Sequence, residues 1–303
     1  MVSKTSFGSN ETIWDKLVQL GFFPAKPLCE HCQQPLNFEL NRKRLHFSVR
    51  CTRKACKKYT NLMRGYQMDG VNDVRNFLAA AESWVSDGKV ETLLAQTGMT
   101  PKTWAHYRQR LQNTVDLTLE KMEVSGELKM GGKGKVVEVD EAKLFSAKYH
   151  KGLPPAADKL WVVGIIERDR DDQGLRRSAF MLTEDRSAAV LLPFIEKWVK
   201  EETTVLTDGW AAYTGRLKNI YFHEKINHKE LFARKAVVNG AELNVNTNHI
   251  EREWVQVRKV LRHRSMSAYD SQLNKEIFRI LFLAGKKPDE QAYILLKKMA
   301  MLN

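Results

Sequence analysis

Four cysteines constrain this chain more than any other feature, because all of them fall between positions 29 and 56 of a 303-residue sequence. They form two close pairs, Cys29-x2-Cys32 and Cys51-x4-Cys56, separated by eighteen residues. Two short knuckles facing one another deliver four sulfur ligands to a tetrahedron, which is what a structural Zn2+ requires. Four unrelated buried thiols would have no reason to pair in this way. A closed four-cysteine set leaves no open position for water, so the one zinc expected here is structural, with His31 and His46 as nearby substitute ligands. Between the pairs, residues 35–40 and 45–50 flank the polar turn Asn41-Arg42-Lys43-Arg44 and read as strands running out and back. Residues 26–68 are therefore expected to form a zinc ribbon, preceded by an N-terminal helical arm over 1–25.

Charge points to the partner. The chain carries 49 Lys and Arg against 36 Asp and Glu, a net charge of +13, and the excess is localised. From Asn41 to Met68 there are nine basic residues and no acid, including Arg42, Lys43, Arg44, Arg53, Lys54, Lys57 and Lys58. A solvated face normally interleaves acids with its bases. A one-sign run on a ribbon suits the phosphates of double-stranded DNA. The second patch, residues 252–264, holds five basic residues and one acid and includes Arg258, Lys259 and Arg262. At 43% hydrophobic and 28% charged, the chain is neither disordered nor membrane-embedded by composition. No uncharged run approaches the roughly 20 residues that span a bilayer. The polar start Met1-Val2-Ser3-Lys4-Thr5 lacks the apolar stretch of a secretory signal. An intracellular protein with no membrane partner is expected, nuclear in a eukaryote and nucleoid-associated otherwise.

Residues 69–124 carry helical periodicity. Val71, Val74, Phe77, Leu78 and Ala81 fit one helix, and Val90–Gly98 reads as a short helix stopped by glycine. Thr100 then caps a third helix, with Pro101 at its first position and an expected run to Leu111. Lys102, Thr103, His106, Tyr107, Arg108 and Arg110 are expected on its exposed face. A short helix, a glycine turn and a basic-polar helix have the shape of a helix-turn-helix that reads a major groove. Residues 125–134 are a linker by composition. Gly126-x4-Gly131-Gly132-Lys133 lacks the Gly-Lys-Ser/Thr ending of a phosphate-binding loop.

After the linker the pattern becomes mixed α/β. Strands read over 135–141, 160–166 and 178–182, a helix over 188–200 and a fourth strand over 203–207 that ends at Asp208-Gly209. This order matches a ribonuclease H-like core, in which the first and fourth strands lie side by side and bring Asp140 to Asp208. A helix expected from about Asn246 to Arg264 carries the apolar stripe Ile250, Trp254, Val257 and Leu261. Glu251 stands at the border of that stripe, with Arg258 and Arg262 further along its side. Three such acids suit two Mg2+ or Mn2+ ions about 4 Å apart, which clamp the attacking and leaving oxygens of a phosphodiester displacement. Glu138, Glu141 and Glu253 compete for these roles. The fold class expected is multidomain α+β: a zinc ribbon and helix-turn-helix, a ribonuclease H-like α/β catalytic domain over 135–285, and a helical tail over 286–303.

Six ordered motifs then carry a resemblance. They are Val139-Asp140-Glu141, Trp161–Arg168, Asp185-Arg186-Ser187-Ala188, Thr207-Asp208-Gly209-Trp210-x2-Tyr213, Ile226-Asn227-His228 and Thr247-Asn248-x-Ile250-Glu251-x2-Trp254. Over residues 135–285 the chain resembles the Merlin superfamily of cut-and-paste DNA transposases and its bacterial insertion-sequence relatives. The resemblance implies a metal-dependent DDE transposase that binds terminal inverted repeats, cuts element ends and joins the freed 3′-OH to target DNA, as a homodimer or larger assembly. Asp140 and Asp208 match the first two catalytic acids. For the third, Glu251 is preferred because a carboxylate holds Mg2+ better than an amide. Asn248 is its reserve, because some relatives use the asparagine of a His-Thr-Asn segment, and here Asn246 stands where that histidine would be. His223 and His228 resemble family positions near the site. The alternatives are a transposase-derived DNA-binding regulator that no longer cuts, and a plain metal-dependent nuclease.

Overall fold

The computed structural model describes residues 10–36, 48–62, 68–71, 73–144, 159–208, 210–213, 217–226, 234–238, 240–261 and 268–302. The chain divides into two compact units, residues 1–118 with 285–303, and residues 119–284.

In the first unit, helix α1 (Asn10–Gln19) buries Ile13 and Leu17. Strands β1 (Ser48–Arg50) and β2 (Tyr59–Asn61) pair antiparallel with Arg50 opposite Tyr59, so they bracket the second cysteine knuckle. A bridge between Leu28 and Pro35 brackets the first. Most of the strand pair expected over 35–40 and 45–50 lies outside the described residues, and Ser48–Arg50 pairs forward with Tyr59–Asn61. Helix α2 (Val74–Val85) starts at Asp73, whose Oδ1 accepts the amides of Arg75 at 2.9 Å and Asn76 at 3.3 Å. Helix α3 (Val90–Thr97) ends at Gly98 in the left-handed region, φ 68°. Helix α4 begins at Pro101 behind Thr100, whose hydroxyl accepts the Thr103 amide at 3.2 Å, as expected of a cap.

Two expectations for α4 are corrected. It runs to Val124 rather than Leu111, because Val115, Leu119 and Met122 continue a buried stripe and no breaker occurs before Gly126. Tyr107 is buried rather than exposed: its ring meets Phe77 edge-on at 5.2 Å, and its hydroxyl donates to the Asp73 carbonyl at 3.4 Å.

The second unit is built on a sheet. Strands β3 (Met130–Gly131), β4 (Val136–Lys143), β5 (Trp161–Glu167) and β6 (Ser178–Thr183) precede helix α5 (Ala188–Trp198). Strands β7 (Val199–Lys200) and β8 (Thr204–Asp208), helix α6 (Leu217–Ile220) and strand β9 (Phe222–Ile226) follow. The five-stranded sheet has the order β6-β5-β4-β8-β9. β4 pairs antiparallel with β5 and β5 with β6, whereas β4–β8 and β8–β9 are parallel. Strands one and four of the expected core are therefore neighbours. A separate hairpin, β10 (Arg234–Val238) with β11 (Ala241–Val245), leads into α7 (Asn248–Leu261) and α8 (Tyr269–Phe278).

Alternation on β4 sorts the two faces. Val137 and Val139 join Val163, Ile165, Leu191 and Ile195 in a core under α5. Glu138, Asp140 and Ala142 turn to the other face, where Ile250, Trp254, Val257 and Leu261 of α7 pack on Val162 and Phe180 as their spacing required. The expected linker is tied into this unit, because Leu128 and Met130 are buried and β3 pairs with β7. The Gly131 amide donates to Glu167 Oε1 at 3.0 Å; a Cβ there would fall 2.3 Å from Thr203 Oγ1, so only glycine fits. Helix α5 stops at Trp198 instead of Lys200 because Val199-Lys200 is taken up by that pairing.

After α8 the chain returns to the first unit as α9 (Pro288–Ala300), which buries Ala292, Leu295, Leu296 and Met299 and packs against α2. No described helix is long and apolar enough to cross a membrane.

Candidate functional site

The cysteine knuckles converge. Among the described residues, the four sulfurs are the group of possible metal ligands that all lie within 4.8 Å of one another. Cys29 and Cys56 are 3.7 Å apart and Cys32 and Cys51 3.8 Å. A disulfide needs about 2.05 Å. A zinc–thiolate tetrahedron with bonds of about 2.3 Å has an edge of about 3.8 Å, so the residues present fit Zn2+. The Thr60 hydroxyl donates to Cys29 Sγ at 3.5 Å, and with the amides of Cys32 and His31 it lowers that thiol to about 6 against the effect of burial. The residues after Cys32 and Cys56, Gln33 (φ 55°) and Lys57 (φ 51°), take the left-handed conformation that closes each knuckle. His31 Nε2 lies 3.0 Å from the Tyr59 carbonyl, and His46 is outside the described residues.

Arg53, Lys54, Lys57 and Lys58 stand exposed on the second knuckle, whereas Arg42, Lys43 and Arg44 lie outside the described residues. On α4, Lys102, His106 and Arg108 are exposed. Arg110 is half-buried and donates to the Asp69 carbonyl, so part of its reach is used inside the unit.

The acids meet where the central strands β4 and β8 lie beside the start of α7. Parallel register sets Val139 beside Thr207, so the next residues, Asp140 and Asp208, are level on adjacent strands. Glu251 enters on the first turn of α7. Each acid has one oxygen anchored. Trp254 Nε1 donates to Asp140 Oδ2 at 2.7 Å, the Trp210 amide to Asp208 Oδ1 at 3.0 Å, and the Thr247 hydroxyl to Glu251 Oε1 at 3.0 Å. Burial, with the nearby charges of Asp208 and Glu251, pushes Asp140 up to about 6 despite the Trp254 donor. The three acids do not close to the 4.8 Å spacing seen in the cysteine set. Their mutual repulsion nevertheless fits a cation between them. Asn248 is exposed at the first position of α7, and its amide donates to Asn246 Oδ1 at 3.3 Å.

Glu138 has a different place from the one the sequence left open to it. It is fully buried and accepts the amides of His249 at 2.8 Å and Ile250 at 3.1 Å, the His249 ring nitrogen at 2.8 Å, and Arg168 at 2.9 Å. A carboxylate that receives the first amides of α7 anchors that helix, and with it Glu251, to the strand carrying Asp140. Arg168 completes the clamp by donating to the carbonyls of Asn244 at 2.7 Å and Asn246 at 2.8 Å. Glu253 is used by Arg279, which also holds Glu276, so it ties α7 to α8.

Glu141 faces away from α7. Its side chain is buried, Oε2 is 3.4 Å from Arg186 Nη1, and Oε1 has no hydrogen-bond partner among the described residues. Burial, then Asp208 and Asp140, push it up to about 8 in spite of Arg186. The Arg186 guanidinium lies 3.7 Å over the Trp161 ring and 4.2 Å over Trp210. None of this clamp or sandwich follows from spacing, because its members are up to 112 positions apart. His223 on β9 reaches Thr207 Oγ1 at 2.9 Å, and burial, with Lys218 nearby, lowers its pKa. His228 lies outside the described residues. Arg258 donates to the Lys143 carbonyl at 3.2 Å, Lys259 is exposed, and Arg262 is outside the described residues.

No curated protein matches the chain significantly. Residues 130–272, which hold the sheet, the hairpin, α7 and all three candidate acids, match the ISXO2-like transposase domain family, and that similarity supports a transposase of the insertion-sequence type.

Proposed function

We propose that this protein is a cut-and-paste DNA transposase that binds terminal inverted repeats, cleaves element ends and joins the 3′-OH to target DNA. The observation that carries the reading is the meeting of Asp140 and Asp208, on adjacent central strands, with Glu251 of α7, each with one oxygen anchored, inside the segment similar to a transposase domain. The sheet order and its mixed pairing support a ribonuclease H-like core. The placement among Merlin transposases rests on the motif resemblance.

Bound divalent metal would supply the activated water and neutralise charge on the leaving oxygen. The chain's own part is orientation. Trp254 fixes the Asp140 carboxyl, Trp210 fixes that of Asp208, and Glu138 with Arg168 holds the start of α7 so that Glu251 faces them. The short α3, the turn over 98–100 and the basic face of α4 support a helix-turn-helix, and the exposed knuckle at 53–58 supports phosphate contact.

Purified protein incubated with inverted-repeat duplex and Mg2+ or Mn2+ tests this. Cleavage and joining are expected, with Asp208→Ala losing both while still binding the ends. Full cleavage by Asp208→Ala would refute the site. Binding without cutting would favour the regulator, and cutting that never joins would favour a plain nuclease.

A further inference from the structure

We infer that the indole of Trp210 is a stacking plate for one nucleobase lifted out of the duplex beside the phosphate addressed by Asp208. The inference rests on the transposase reading and adds a subsite to it. Trp210 is 39% exposed although it lies in the middle of an ordered polar cluster. Its backbone amide donates to Asp208 Oδ1 at 3.0 Å, which ties the residue that carries the ring to the acid. Its Nε1 donates to the Arg186 carbonyl at 3.3 Å, which fixes the ring plane. Arg186 covers one face of that ring at 4.2 Å, and its own position is set by Trp161 at 3.7 Å and by Glu141 at 3.4 Å.

The chemistry of the cluster selects its ligand. The Arg186 guanidinium is held against the buried Glu141 carboxyl and sandwiched between two indoles, which leaves it poorly placed to clamp a phosphate. Its effect is to stiffen Trp210 and enrich the contact on the covered side. What remains for a ligand is the exposed part of a flat π-surface with no hydrogen-bonding code. A nucleobase fits that surface whatever its identity, because every base has a π-face. Enzymes acting within a duplex extrude a nucleotide when the reacting group cannot otherwise be reached, and an aromatic receiver offsets the lost stacking. Because the Trp210 amide is bonded to Asp208, a base received by that ring keeps its strand next to the acid.

The test uses full-length protein, Mg2+ and duplexes carrying the terminal inverted repeat, either intact or with a single abasic site at each nucleotide flanking the cleaved bond. Trp210→Ala is expected to cut the intact end on the order of tenfold more slowly, with Trp210→Phe close to wild type. On the duplex that is abasic at the extruded position, Trp210→Ala and wild type should cut at equal rates, because the base that the ring receives is gone. A Trp210→Ala variant equally slow on every duplex, or slower on none, overturns the stacking plate while leaving the transposase reading intact. If Trp210→Ala melts early, Trp210→Phe must still cut normally and the abasic duplex must still restore equality, or the plate is refuted. A wild-type protein that cuts no end DNA removes the transposase reading, and the plate with it.

Discussion

Three acids within four positions of one strand show how little the residue type alone decides. Glu138 is buried and saturated by α7 amides and Arg168, Asp140 is half-buried and held by Trp254, and Glu141 is buried with one oxygen unpartnered. Glu141 therefore opposes folding when ionised. Its pKa is about 8 in the folded chain against an ordinary 4.5, so between those values the unfolded state binds fewer protons. Stability then falls as pH rises across that window. Asp140, at about 6 against 3.8, adds a slope of the same sign. Metal-free protein should lose melting temperature from pH 5 to pH 8, and Glu141→Gln should remove most of that loss, a gain on the order of a few kcal/mol at pH 8. A flat stability profile in thermal melts across pH 5–8 would contradict it.

At the scale of elements, the site depends on how closely α7 approaches the sheet. Gly164 of β5 stands opposite Asp140, and a Cβ at that position would lie 2.6 Å from the Trp254 ring and 2.8 Å from Ile250. Gly164→Ala should therefore push Trp254 away from Asp140, costing about 1–3 kcal/mol in denaturant unfolding and lowering the Asp140-dependent cleavage rate. Unchanged stability and rate would show that α7 has slack. The α7 stripe was legible because four apolar residues at helical spacing admit one buried face. The β10–β11 hairpin was missed, although Asn239-Gly240 between two alternating segments is a strong turn signal. The polar run after Leu111 hides the second half of α4, because its apolar stripe is only about one residue wide per turn.

For the molecule as a whole, two couplings can be tested. Chelation of the ribbon, or Cys51→Ser, should abolish inverted-repeat binding and collapse the fold around the knuckles, since structural zinc contributes folding energy directly. Retained binding with no bound zinc would refute the site. Truncation after Lys287 should lower the melting temperature of the first unit by several degrees, because α2 loses the α9 helix that packs on it with Leu295, Leu296 and Met299 buried. An unshifted melt would show that α9 is an appendage. The exposed bases on the knuckle and on α4 belong to one unit and the acids to the other; charge marks the knuckle, and helical spacing marks the α4 bases.

Local spacing carried the knuckles, the strands, the cap at Thr100 and the stripe of α7, since each depends on neighbours a few positions away. It also picked out the three acids as candidates, although Asp140 lies inside β4 (Val136–Lys143) rather than at its end. Tertiary structure alone decided which acids are anchored, that Glu138 holds a helix rather than competes for metal, that Arg186 lies between two tryptophans, and that the tail covers its own helical unit. Those outcomes rest on desolvation and on partners far away in sequence. A carboxylate's role is fixed by what surrounds it after folding, and periodicity does not encode that.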